Sequence, residues 1–194
     1  MNPLKQINMF IDSIFETEIN FNNSLLIDTI DHINANESRV ISNEGGWQSY
    51  LYDLKTHQAI DDLFNNKIIY YTDTLLDKYK IDVSNKQIKC RYWINVNYKY
   101  SYNRLHDHAG SILSGIYYIK VPSNSGKLVF HKDSSNTLID IAEYNEYNSK
   151  IYEYEPKENK LLLFSPYLKH EVLQNKTDDA DDKRISIAFN LMLD

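Results

Sequence analysis

The chain has 194 residues, of which 42% are hydrophobic and 25% charged, and a formal net charge of −6. That length suits one domain, or one domain with an N-terminal extension, and the negative balance argues against a broad electrostatic grip on nucleic acid. Cys90 is the single cysteine, so a reducing compartment is expected, and no stretch resembles a membrane span or a secretory leader, which makes a cytoplasmic protein the expectation.

In chain order, Ile7 to Ile19 reads as an edge strand or a short helix. Asn22, Asn23 and Ser24 then offer N-cap side chains before Leu25, Leu26, Ile30 and Ile33, which recur at helical spacing. The paired glycines of Gly45-Gly46-Trp47-Gln48-Ser49 mark a loop. It reads as a lid over a pocket, or as a tight turn that packs Trp47 on the core. From His57 to Tyr79 the positions Ile60, Leu63, Phe64, Ile68, Tyr71, Leu75 and Leu76 predict one long amphipathic helix.

The pattern changes near residue 87. Short strands are predicted over Ile88 to Val96, Ile112 to Val121, Gly126 to His131, Ile151 to Tyr154, Lys160 to Phe164 and Arg184 to Leu193. Strands following helices, with no helix between them, predict an α+β, mainly β protein. Its core over 87–194 is a double-stranded β-helix (a jelly roll or cupin-like barrel), supported by a helical region over 1–86 within one domain. Cys90 falls inside a strand as an inert thiol, and Asp178 to Asp182 form a solvated loop.

The chemistry concentrates in His106-x-His108, His170 and Arg184-x-Ser186. Two imidazoles one residue apart on an extended segment project to the same side, and a third from a later strand completes one face of a metal ion. Asp107 faces away in a regular strand, and reaches the metal only if the backbone turns at Gly110 and Ser111. Taken alone, each histidine reads as an ordinary surface residue, as do His32, His57 and His131. Order, spacing and flanking strands together favour the metal. Arg184 reads as a bidentate clamp on a dicarboxylate, with Ser186 on the same side, or as a rim salt bridge to the preceding aspartates.

The stretches Asn103 to His108, Leu113 to Ile119, Gly126 to Phe130, Leu161 to Val172 and Arg184 to Asn190 resemble the 2-oxoglutarate- and iron(II)-dependent dioxygenases of the prolyl-hydroxylase type. Within that superfamily they are similar to a branch found in marine bacteria and phages, which also carries a segment like Gly45 to Ser49. The resemblance covers residues 91–194. It implies Fe(II) held by His106, His108 and His170, with His108 where most of the superfamily has Asp. It implies 2-oxoglutarate held by Arg184 and Ser186, with Tyr117 and Asn97 lining its pocket and Asn190 a remoter candidate. The implied reaction uses O2, with ascorbate as reductant in vitro, and hydroxylates a protein or small-molecule substrate through a ferryl while releasing succinate and CO2.

Two other readings remain at this point. One is a catalytically weak or inactive binding domain on the same barrel, and the other a three-histidine enzyme independent of 2-oxoglutarate. A nucleic-acid substrate, suggested by Arg91, Tyr92, Trp93, Lys99, Tyr100, Tyr102 and Arg104, ranks below these, because alternating tyrosines are ordinary sheet formers.

Overall fold

A computed structural model of the protein describes residues 5, 12–33, 39–83, 85–132, 141–145 and 148–193. It contains two antiparallel sheets. The larger one joins β1 (Ile14–Glu18), β3 (Trp47–Gln48), β4 (Tyr52–Asp53), β5 (Ile88–Asn97), β7 (Leu113–Lys120), β10 (Lys160–Phe164) and β12 (Arg184–Leu193). Its order is β1-β10-β7-β12-β5-β3, with β4 also on β5. The smaller sheet joins β2 (Asn43–Glu44), β6 (Tyr102–His106), β8 (Leu128–His131), β9 (Ile151–Tyr154) and β11 (Lys169–Val172), in the order β2-β6-β11-β8-β9. From β5 onward the chain alternates between the sheets, apart from the β8–β9 hairpin. This is the predicted double-stranded β-helix.

Alternation along the long strands separates two apolar layers. Tyr92, Ile94 and Val96 of β5, and Ile185, Ile187 and Phe189 of β12, point to the layer under the helices. Ala188 of β12 points between the sheets, where Ile116, Tyr118, Leu128, Phe130, Leu162 and Phe164 pack. β7 is apolar on both faces, because one covers the barrel interior and the other the helices.

The helices are α1 (Asn23–His32), α2 (Gln58–Leu63) and α3 (Ile69–Lys78), and a π-helical turn over Phe64–Ile68 makes α2 and α3 one continuous rod. The sequence predicted an uninterrupted α-helix here. Ile60, Phe64, Ile68, Thr72 and Leu76 are all buried at a spacing of four. An α-helix would carry that repeat around its axis by about 40° per step. The wider π turn takes up part of the drift and keeps the stripe on the sheet. At the start of α1, Asn22 occupies the N-cap without a side-chain bond. The Asn23 amide instead donates to the Ile119 carbonyl at 2.8 Å and accepts from the Tyr117 hydroxyl at 2.8 Å.

Residues 1–86 contribute more than the expected helices. Ile14–Glu18 pairs with β10, which selects the strand alternative for that run, while its residues 7–11 lie outside those described. The Gly45-Gly46 loop crosses between the sheets, β2 pairing with β6 and β3 with β5. Gly45 has φ +71°, and a Cβ on Gly46 would collide with the Val96 carbonyl, so both positions require glycine. Trp47 is buried in the core, so the segment is a packed wall and not a lid. Among the described residues, no helix is long and apolar enough to cross a membrane.

Candidate metal centre

His106 is the last residue of β6 and lies directly opposite His170 of β11. His108 falls just beyond β6, where its backbone N–H donates to the Pro166 carbonyl at 2.8 Å and Gly110 turns the chain at φ +89°. The three rings converge. One ring nitrogen from each lies within 4.8 Å of the others, and the Nε2 atoms of His108 and His170 are 3.3 Å apart. Asp107 stands outside this group: its carboxylate accepts from the Ala109 N–H at 3.2 Å, and it faces a different cavity.

Hydrogen bonds at the far side of two rings fix which nitrogen faces inward. His106 Nδ1 lies 2.6 Å from the Arg104 carbonyl, and His170 Nδ1 lies 2.8 Å from the Leu168 carbonyl. A carbonyl only accepts, so each Nδ1 carries the proton and each Nε2 presents a lone pair. The walls are dry. Phe130 and Phe164 sit 5.7 and 5.1 Å from the His170 ring, and Trp93 stacks on His108 at 5.4 Å and 22°. Burial pushes His108 down to about 3 and His170 to about 4, assisted by the neighbouring imidazoles, and lowers His106 as well. All three are therefore neutral at pH 7, the form a metal requires.

One cavity joins these rings to Asn97, Arg184 and Ser186. Strand alternation places Arg184, Ser186 and Ala188 on its floor while Ile185 and Ile187 face the helices. Arg184 is only 2% exposed. Its Nη1 donates to the Ser125 and Gly126 carbonyls at 2.9 Å each, its Nε–H has no partner, and no ion pair to a carboxylate reaches it among the described residues. The aspartates before it turn elsewhere, Asp182 pairing with Lys120 at 2.7 Å. Burial lowers the Arg184 guanidinium to about 10, so it stays charged at pH 7. Asn97 Oδ1 is likewise buried without a partner among the described residues. An unneutralised buried cation and orphaned polar atoms mark a place built for an anionic, hydrogen-bonding ligand. The cavity measures about 30 Å³, so a five-carbon diacid would enter by moving its walls apart.

The expectation for Tyr117 is corrected. Tyr117 faces the helices, where its hydroxyl donates to Asn23, and Tyr118 lines the cavity in its place. Because β7 is apolar on both faces, its sequence gives no parity for deciding which tyrosine points inward. Asn95, also on the cavity, was missed, although its spacing of two from Asn97 was a usable signal. A second, larger cavity of about 260 Å³ opens on His106, Asp107 and His108 and is bounded by Arg39, Arg91, Trp93, Leu51 and Met192. The cations of the candidate nucleic-acid cluster are engaged separately, Arg91 with Asp53 at 3.0 Å, Arg104 with Glu44 at 3.1 Å and Lys99 with the Asp178 carbonyl at 3.0 Å, and Tyr92 is buried in the core. Cys90 is a free cysteine whose thiol burial pushes up to about 12, so it stays protonated.

Residues 91–190 match the model of a family described as "Putative 2OG-Fe(II) oxygenase". No curated protein matches the chain. A prolyl-4-hydroxylase from Pseudomonas putida is similar in structure, with TM-score 0.62 and 13% identity over 93% of this chain and 92% of that one. A prolyl hydroxylase from Trichoplax adhaerens, solved with a hypoxia inducible factor peptide fragment, gives TM-score 0.59 and 14% identity over 93% and 84%. HygX from Streptomyces hygroscopicus, solved with nickel and 2-oxoglutarate, gives TM-score 0.59 and 12% identity over 93% and 83%.

Proposed function

The chain belongs to the 2OG-Fe(II) oxygenase family, and from that premise we propose that it hydroxylates its substrate at a centre held by His106, His108 and His170, with 2-oxoglutarate anchored by Arg184. The observation that carries this reading is a single cavity holding three converging imidazoles and a buried, unneutralised guanidinium. The donor set suits the group. Neutral imidazole is an established ligand for iron(II), and a planar guanidinium suits a carboxylate.

Bound iron(II) supplies oxygen activation coupled to decarboxylation of 2-oxoglutarate, giving succinate and carbon dioxide. The chain itself supplies position and charge. Arg184 and Ser186 hold the distal carboxylate. The Ser125 and Gly126 carbonyls fix the guanidinium through Nη1 and leave its Nε–H free to donate. Phe130, Phe164 and Trp93 set aromatic surface against two of the rings, His170 and His108. The substrate, a protein segment or a small molecule, approaches through the larger cavity on the far side of His106 and His108.

Arg184 weighs against an enzyme independent of 2-oxoglutarate, since such a site has no need of a buried carboxylate partner. The test is to incubate purified protein with Fe(II), ascorbate and 2-oxoglutarate. Slow substrate-free succinate formation is expected, abolished in His106→Ala. Absence of succinate together with absence of keto-acid binding by calorimetry removes the reading.

A further inference from the structure

Among the described residues, the backbone carbonyls that fix His106 and His170 have no counterpart at His108, whose Nδ1 faces the side-chain amide of Asn190 at 3.0 Å. An amide offers a donor on one side and an acceptor on the other. With its nitrogen toward the ring, Asn190 donates to Nδ1, and the ring proton sits on Nε2, directed at His170 Nε2 3.3 Å away. With its oxygen toward the ring, Asn190 accepts from Nδ1–H, and the Nε2 lone pair faces the other two histidines.

The surroundings serve both orientations. Ser114 Oγ lies 2.8 Å from Asn190 Oδ1 and donates to it; after a half-turn of the amide the same hydroxyl accepts from the nitrogen. Ser114 and Asn190 are direct partners across β7 and β12, so the strands hold the pair in place. The ring of His108 is held as well: it stacks on Trp93 at 5.4 Å, and the ring of His170, 5.0 Å away, lies parallel to it within 1°. The amide can turn while the imidazole stays still.

We propose that Asn190, seated on Ser114, is a positioning residue that selects the metal-binding tautomer of His108, its amide turning oxygen-first when a divalent cation binds. The inference rests on the three-histidine reading above. The proton balance is closed: one N–H bond breaks at Nε2 and one forms at Nδ1, with no net release, the proton passing through solvent in the larger cavity that reaches His108 and Asn190. The pairing also compensates in part for an imidazole at the position where most of the resembled superfamily has Asp, since an acceptor on Nδ1–H raises the basicity of Nε2.

The experiment measures Co(II) affinity of the full chain by competition with a chromophoric chelator, for wild type, Asn190→Leu and Asn190→Asp. Loss of a partner that orients a ligand typically costs about 10- to 100-fold in metal affinity. That loss is expected for Asn190→Leu, while Asn190→Asp, which can only accept, should bind at least as tightly as wild type. Equal affinity in Asn190→Leu, or an equal loss in both variants, overturns the proposal while leaving the metal reading intact. A wild-type protein that binds no Co(II) defeats that reading and the proposal with it. Histidine nitrogen NMR of the wild type provides a second measurement that needs no variant. Adding Zn(II) should move the His108 proton from Nε2 to Nδ1, and a proton already on Nδ1 before addition counts against the proposed turn.

Discussion

Arg184 shows how much one side chain can say about a ligand. A buried guanidinium with two carbonyl partners and no ion pair among the described residues holds its charge at a cost, which a bound dicarboxylate would offset. Hydrogen bonds to charged groups contribute about 1.5–3 kcal/mol each. Arg184→Gln should therefore raise the 2-oxoglutarate KM in the succinate assay by about 10- to 100-fold. Metal affinity should stay near the wild-type value, and a KM unchanged within twofold would sink the clamp. At this scale the sequence was legible wherever alternation had a polar and an apolar face. His106, His170, Arg184, Ser186 and Asn97 are all found on the cavity, because a period of two separates them from Ile185, Ile187 and Val96. Tyr117 was misplaced for want of that contrast. The partnership of Asn190 with His108 spans 82 positions and leaves no local mark.

Among the elements, β7 lies between β10 and β12 and bears on both apolar layers. Gly115 on that strand is pressed against the face of Phe189, so closely that a Cβ would collide with the ring. Phe189 in turn meets Phe64 of the π turn edge-on at 5.0 Å. Gly115→Ala should destabilise by about 1–3 kcal/mol, the usual effect of an added methyl in a packed core. Urea unfolding followed by circular dichroism reads it, and a loss below a few tenths would mean that Phe189 yields freely. Long strands and helices announced themselves through period, whereas β2, β3 and β4 are two residues each and owe their existence to the neighbours they pair with. The π turn was equally silent, because its four-residue spacing is compatible with an α-helix until the sheet beneath fixes the direction of the stripe.

For the molecule as a whole, the buried imidazoles tie stability to acidity. In the unfolded chain a histidine takes up its proton near pH 6.5, whereas in the metal-stripped fold His108 and His170 do so only at about 3 and about 4. Between those limits the unfolded state binds more protons, so stability is complete above the upper one and falls as pH drops below it. Melting temperatures of chelator-treated protein should decline from pH 7 to pH 4.5, less steeply in His170→Leu, and parallel profiles would rule the histidines out as the cause. The arrangement of the sheets carries a different consequence. β1 borders β10 at one margin of the larger sheet, β3 and β4 cover β5 at the other, and β2 does the same for β6. All four come from residues 14–53, ahead of the segment that matches the family. A protein trimmed to its catalytic half would bare three rows of unpaired amides and carbonyls. The leading segment therefore has to travel with the barrel if β5, β6 and β10 are to keep their outer partners.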